Sequence, residues 1–240
     1  MVAHPYSIVV PFYNEASVAA DVLGELRKTC PDAEIIAVND GSTDGTLDVL
    51  KQFVGIRTVS FAKNQGQSAA VLAGLREATG RLCVTMDGDG QNDPSDIPVL
   101  LKVWMEGTVV CGYRHNRRDN LLKRITSRIG NLVRRCILRD GIWDTGCSLK
   151  VFPRSAVANL PAFNGLHRFL PALFKQEGYA LVEMPVNHRP RFGGESKYTN
   201  IGRAWRGIWD LAGVSWLLMR RICPGRAVEV QDYARDTVHR

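Results

Sequence analysis

Up to residue 112, short β-branched runs alternate with longer helical patterns, and this alternation narrows the possible folds more than any other feature of the chain. Residues 7–11 (SIVVP) have the apolar character of a buried strand, and a helix over 15–28, capped near Asn14, follows. The pattern repeats, with strands expected at 34–38, 56–61, 81–86 and 108–113 and helices over 43–53, 68–78 and 95–106. Such alternation builds an α/β fold, a mostly parallel sheet with helices on both faces. Ligands of such sheets bind outside the carboxyl ends of the strands. Tyr13-Asn14-Glu15, Asn39-Asp40-Gly41 and Asp87-Gly88-Asp89 each follow a strand directly, so all three are expected along one rim.

Charge divides the chain. The net charge of +7 resolves into −6 over residues 1–112, +8 over 113–139, balance over 140–188 and +5 over 189–240. An acidic half followed by basic segments is not a uniformly basic nucleic-acid coat, and residues 114–138 contain no aromatic side chain of the Phe, Tyr or Trp type to stack on bases. No nucleic-acid partner is expected. Hydrophobic content of 45% with 23% charged residues excludes wholesale disorder. The six cysteines form neither a CxxC pair nor a zinc spacing, which fits buried thiols in a reducing compartment.

Two later segments are amphipathic. Over 121–138, Leu121, Leu122, Ile125, Ile129, Leu132, Val133 and Ile137 share a helical stripe beside Lys123, Arg124, Arg128, Arg134 and Arg135. Residues 205–219 are rich in Trp and Leu and flanked by Arg203, Arg206, Arg220 and Arg221. Trp and Arg together suit a helix lying in a membrane interface. With no secretory signal at the N-terminus and no apolar run of about 18 residues, a cytoplasmic protein, peripheral on the cytoplasmic face of a membrane, is expected.

The strongest chemical signal is Asp87-Gly88-Asp89-Gly90-Gln91 at the end of an apolar run. Two carboxylates and an amide oxygen at alternate positions offer hard ligands to a divalent cation. An EF-hand is excluded, because Asn92 stands at the sixth loop position and Pro98 at the twelfth. Clustered carboxylates, with Asp40 and Glu15 on the same rim, repel one another unless a cation sits among them.

Several motifs in order carry a resemblance. Ile8-Val9-Val10-Pro11-Phe12-Tyr13-Asn14-Glu15, Val38-Asn39-Asp40-Gly41-Ser42, Asn64-Gln65-Gly66-Gln67 and Asp87-Gly88-Asp89-Gly90-Gln91-Asn92-Asp93-Pro94 resemble family 2 glycosyltransferases of the GT-A (Rossmann-like) fold. Gly112-Tyr113-Arg114, Asp144-Thr145-Gly146-Cys147-Ser148-Leu149-Lys150 and the 191–198 segment (RFGGESKY) are most similar to the polyprenyl-phosphate, dolichol-phosphate mannose synthase-like branch. The resemblance spans about residues 6–215, and one departure is Gly88, where many relatives have Ala.

The resemblance implies a metal-dependent inverting hexosyltransferase. Its donor would be a nucleotide-diphosphate sugar of the GDP-mannose or UDP-glucose type. Its acceptor would be a polyprenyl phosphate such as dolichyl or undecaprenyl phosphate, with a soluble glycan as the alternative. Pro11, Tyr13, Glu15, Asp40, Asp87 and Asp89 would bind the nucleotide sugar, and Asp87, Asp89 and Gln91 would hold Mg²⁺ or Mn²⁺. Asp89, Asp144 and Arg124 form the implied catalytic set, with Asp144 as base or acceptor orienter. Arg114, Arg117, Arg124, Ser127, Arg191 and Lys197 would hold the acceptor phosphate, and the pliable Gly193-Gly194 loop would close over bound donor. The implied organisation is a catalytic domain over 1–200, including the basic helix 121–138 and acceptor loop 189–199. A membrane-surface helix and polar tail over 201–240 would follow it.

Overall fold

The computed structural model describes residues 4–115, 130, 133–190 and 200–222, with only the backbone described for 200–206 and 208. The strands are β1 (Tyr6–Phe12), β2 (Glu34–Asn39), β3 (Arg57–Ser60), β4 (Leu82–Thr85), β5 (Thr108–Arg114), β6 (Lys150–Pro153) and β7 (Ala180–Val186). The helices of the first half are α1 (Ala19–Thr29), α2 (Thr46–Lys51), α3 (Gln67–Glu77) and α4 (Asp96–Val103). A short helical stretch over 133–138, here α5, precedes α6 (Leu166–Gln176) and α7 (Asn200–Arg220).

Among the described residues seven strands form one sheet in the order β3-β2-β1-β4-β6-β5-β7. Only β6 is reversed: it pairs antiparallel with β4 and β5, while β7 pairs parallel with β5. Alternation along the strands makes two cores. Ile8, Val10 and Phe12 face α1, α2 and α4 through Leu23, Leu26, Leu50, Ile97 and Leu100. Val9, Ile36 and Val38 face α3 and α6 through Leu72, Leu75, Leu170 and Phe174. Burial of each such side chain contributes about 1.5–3 kcal/mol relative to exposure.

The expected strands and helices of the first half are all present, but two helices begin late. Helix α1 starts at Ala19 rather than at residue 15, and no side chain caps it. Asn14 has a left-handed backbone (φ 54°), and its Oδ1 instead accepts the Thr43 N–H at 2.8 Å. Helix α2 starts at Thr46 because Asp44 Oδ1 takes up the Thr46 N–H at 3.0 Å. A bond between the two loops and one within the second thus replace the expected first turns.

Beyond residue 113, the sequence reading contained none of β6, β7 and α6. The basic helix expected over 121–138 falls within the described residues only at 130 and 133–138. Cys30, Cys83, Cys111 and Cys147 are buried free thiols as expected, whereas Cys136 is exposed on α5. Helix α7 lies along α6, with Arg168 paired to Asp210 and Gln176 donating to the Leu218 carbonyl. No helix among the described residues is long and apolar enough to cross a membrane.

Candidate active site

The rim is assembled from loops that leave β1, β2 and β4 at their carboxyl ends. Asn14 N–H donates to Ser42 Oγ at 3.0 Å, Glu15 N–H to Thr46 Oγ1 at 2.9 Å and Ala16 N–H to Asp44 Oδ2 at 3.2 Å. Residues 13–16 and 42–46 therefore form one rigid wall. Tyr13 is exposed at its lip, and Pro11 and Glu15 are half-buried beside it.

Asp40 is 2% exposed and bonded inward: Oδ1 accepts the Gln65 N–H at 2.7 Å, and Oδ2 accepts from Asn64 Nδ2 at 2.9 Å. Burial raises its carboxyl above the usual carboxylate range, opposed by these bonds. Gly41 makes the approach possible. Its φ is +63°, and a Cβ there would lie 2.3 Å from the Lys63 carbonyl carbon.

Asp87 and Asp89 follow β4. Asp87 Oδ1 accepts from Gln67 Nε2 at 2.7 Å, and the Asp87 N–H donates to Ser148 Oγ at 3.1 Å. Asp89 Oδ1 accepts the Gln91 N–H at 3.1 Å, which closes the turn. Burial, and then the Asp89 carboxylate, push the Asp87 carboxyl up to about 6, opposed by Ser148, Lys150 and Arg114. No three His, Cys, Asp or Glu side chains cluster as metal ligands among the described residues. Asp87 and Asp89 are therefore two carboxylates whose charges oppose each other, with Gln91 beside them in the same turn. Such oxygens are of the type that would hold a hard divalent cation.

The same loop is tied to the first residue of the expected acceptor loop, Arg189, and to Asn187 just before it. The Arg189 N–H donates to the Gln91 carbonyl at 2.9 Å, and the Arg189 guanidinium spans Asp93 (2.9 Å) and Glu25 (2.7 Å). Asp96 accepts the Asn187 N–H at 2.8 Å. Arg191 and Lys197, like Arg117, Arg124 and Ser127, lie outside the described residues.

Arg114 and Asp144 are brought together. The guanidinium donates from Nε to Asp144 Oδ2 at 2.7 Å and from Nη2 to Oδ1 at 2.8 Å, a two-pronged ion pair. Glu183 on β7 accepts the Trp143 N–H at 2.9 Å and so orients the turn that presents Asp144. Sequence reasoning missed Gln67, Glu183 and Arg189 as site-organising residues. Gln67 had a signal in the Asn64-Gln65-Gly66-Gln67 motif and Arg189 in its place at the start of the 189–199 loop, whereas Glu183 had none.

Sheet order, the reversed strand β6 and the acidic pair after β4 define a GT-A type of fold. The family model for glycosyl transferase family 2 matches residues 7–160. The chain is 36% identical over 233 residues to the dodecaprenyl-phosphate galacturonate synthase of Rhizobium johnstonii, covering 91% of this chain and 69% of that one. It is 32% identical over 206 residues to the undecaprenyl-phosphate 4-deoxy-4-formamido-L-arabinose transferase of Pseudomonas fluorescens, covering 82% of this chain and 61% of that one.

Solved structures share the fold. The mannosyltransferase PcManGT from Pyrobaculum calidifontis, in complex with GDP-Man and Mn²⁺, superposes with a TM-score of 0.64 at 19% identity, over 94% of this chain and 67% of that one. Glucosyl-3-phosphoglycerate synthase from Mycobacterium tuberculosis, in complex with Mn²⁺, UDP and glucosyl-3-phosphoglycerate, gives 0.65 at 18% identity, over 89% and 79%. The chain belongs to glycosyl transferase family 2.

Proposed function

We propose that this enzyme transfers one sugar unit from a nucleotide sugar to a polyprenyl phosphate at a membrane surface, with inversion at the anomeric carbon. The observation that carries the reading is the Asp87–Asp89 pair at the end of β4, on a rim shared with Tyr13 and Asp40. The two polyprenyl-phosphate relatives named above favour that acceptor over a soluble glycan.

The chemistry is a direct displacement. A lipid phosphate oxygen forms the new bond to the anomeric carbon as the bond to the nucleoside diphosphate breaks. A phosphate carrying about −1.5 to −2 charge is already a nucleophile and needs no general base. Asp144 accordingly serves to hold Arg114, which becomes an oriented cation for the acceptor phosphate. Mg²⁺ or Mn²⁺, held by Asp87, Asp89 and Gln91, would neutralise charge on the departing diphosphate. Tyr13, Pro11 and Glu15 would line the base and ribose pocket. Arg117, Arg124, Ser127, Arg191 and Lys197 remain part of the proposed acceptor site, with Arg124 assisting catalysis.

Residues 1–200 would form the catalytic domain and 201–240 the surface helix and tail. Trp209, Ala212, Trp216 and Met219 form an exposed stripe along α7, while Val214 is buried and Leu218 packs on the core. Val133, Ile137 and Trp143 are also exposed. Apolar surface with flanking arginines supports contact with an anionic bilayer, on the cytoplasmic side where nucleotide sugars are at hand.

A panel of UDP- and GDP-sugars, each with Mn²⁺ or Mg²⁺, tests the reading against undecaprenyl and dolichyl phosphate in detergent. Sugar label entering the lipid phase with one donor is the expected result. Turnover only with soluble acceptors would overturn it.

A further inference from the structure

Helices α3 and α6 both begin at the rim. Each precedes a parallel strand of the sheet, β4 and β7 respectively, so each runs against the strands and starts at their carboxyl ends. Consecutive residues of α3 face two partners there. Gln67 reaches Asp87, and Ser68 Oγ lies 2.7 Å from Nδ1 of His167 in the first turn of α6.

The Ser68 contact selects a tautomer. Ser68 is 4% exposed, and its Oγ accepts the Gly165 N–H at 2.8 Å. The buried hydroxyl proton needs an acceptor, and among the described residues His167 Nδ1 is the one within reach. Nδ1 therefore accepts, and Nε2 carries the ring proton. Burial, and then Arg168 and Lys150, hold the imidazole pKa down near 3, so the ring is neutral at physiological pH. Arg168 itself is turned to Asp210 on α7. Among the described residues Nε2–H makes no hydrogen bond to protein, and His167 is half-buried rather than fully enclosed.

Position then points to the ligand. Along the rim, Tyr13 and Asp40 follow β1 and β2, Asp87 and Asp89 follow β4, and α6 lies over the β5 and β7 side of the sheet. A nucleotide sugar laid base first, with its diphosphate at the acidic pair, carries its sugar towards His167. A neutral N–H donor suits a hydroxyl oxygen, whereas a phosphate would favour a cation.

We propose that His167 is a sugar-contacting residue of the donor site, its Nε2–H donating to a hydroxyl of the sugar to be transferred, with Ser68 as the positioning residue that sets the tautomer. This rests on the nucleotide-sugar reading of the rim but not on the identity of the acceptor.

Calorimetric titration with Mn²⁺ and no acceptor tests it, pairing UDP-glucose with UDP and GDP-mannose with GDP. For the sugar nucleotide that the wild-type protein binds, His167→Ala should weaken binding by roughly tenfold. The matching nucleoside diphosphate should bind within about twofold of wild type, because it lacks the contacted group. His167→Gln, which keeps an N–H donor, should recover much of the loss, and Ser68→Ala should fall between. Equal weakening of both ligands, or of neither, would overturn the assignment. Selective loss of sugar-nucleotide binding in a protein that fails to glycosylate polyprenyl phosphate would leave His167 in place and remove only the acceptor reading. A wild-type protein that binds no sugar nucleotide would end both.

Discussion

Arg114 grips Asp144 through two parallel hydrogen bonds of 2.7 and 2.8 Å, and the pair is largely screened from solvent at 16% and 11% side-chain exposure. Removing one partner strands the other charge. Asp144→Asn should lower stability by about 2–3 kcal/mol, read from the urea midpoint. Arg114→Gln in the Asp144→Asn background should cost much less than Arg114→Gln alone. Additive losses would show that the pair is not energetically coupled.

Asp89→Ala leaves the β4 strand intact but removes half of the acidic pair. Metal-stimulated binding of the sugar nucleotide should fall by on the order of a hundredfold, with an unchanged circular dichroism spectrum. Activity with the normal Mn²⁺ dependence would exclude Asp89 as a ligand.

Gly88 is a packing requirement in this chain. A Cβ at that position would lie 2.5 Å from the Phe12 ring and 2.7 Å from the Pro11 carbonyl oxygen. Gly88→Ala should therefore destabilise by about 1–3 kcal/mol, and Phe12→Leu in the same chain should restore part of it. Equal melting temperatures for Gly88→Ala and wild type would show that the loop gives way freely.

His167 gives stability a pH dependence. Its folded pKa of about 3 lies below the usual 6.5, so between these values the unfolded chain binds the extra proton. The contribution is complete above pH of about 6.5 and falls as pH drops towards 3, by up to about 1.4 kcal/mol per unit. Burial sets it first, and then Arg168 and Lys150. Unfolding free energies of His167→Gln from pH 7 to 4 should decline less steeply than those of wild type. Parallel curves would mean that the ring is already charged in the folded state.

The exposed stripe on α7 makes the membrane proposal measurable. Trp209→Ser with Trp216→Ser should reduce co-sedimentation with phosphatidylglycerol vesicles several-fold while leaving sugar-nucleotide binding unchanged. Unaltered partitioning would shift membrane contact to another part of the chain.

Much of the first half was legible because its signals are local. The rim loops have no apolar periodicity of their own, yet Asp40 and Asp87 could be located by counting from the ends of β2 and β4. The helix starts differ from expectation because Asn14 bonds across to Thr43, while Asp44 holds the Ala16 N–H across the loops and the Thr46 N–H at the start of α2. Nothing in Lys150–Pro153 announces a reversed strand: it is four residues long and buried on both faces, so it shows no alternation. Helix α6 carries Pro171 in its interior, which masks an otherwise periodic segment.

The sequence by itself determined the parallel α/β plan, the acidic pair after β4 and the split between an acidic first half and basic later segments. These depend on strand and helix periods and on charge, which are properties of neighbouring residues. Tertiary structure decided which side chains became partners: Gln67 with Asp87, Ser68 with His167 across 99 positions, and Glu183 with the turn before Asp144. Such pairs form where the insertion of β6 between β4 and β5 and the return of α6 to the rim bring distant residues within hydrogen-bonding reach. Short-range patterns carry no record of that closure.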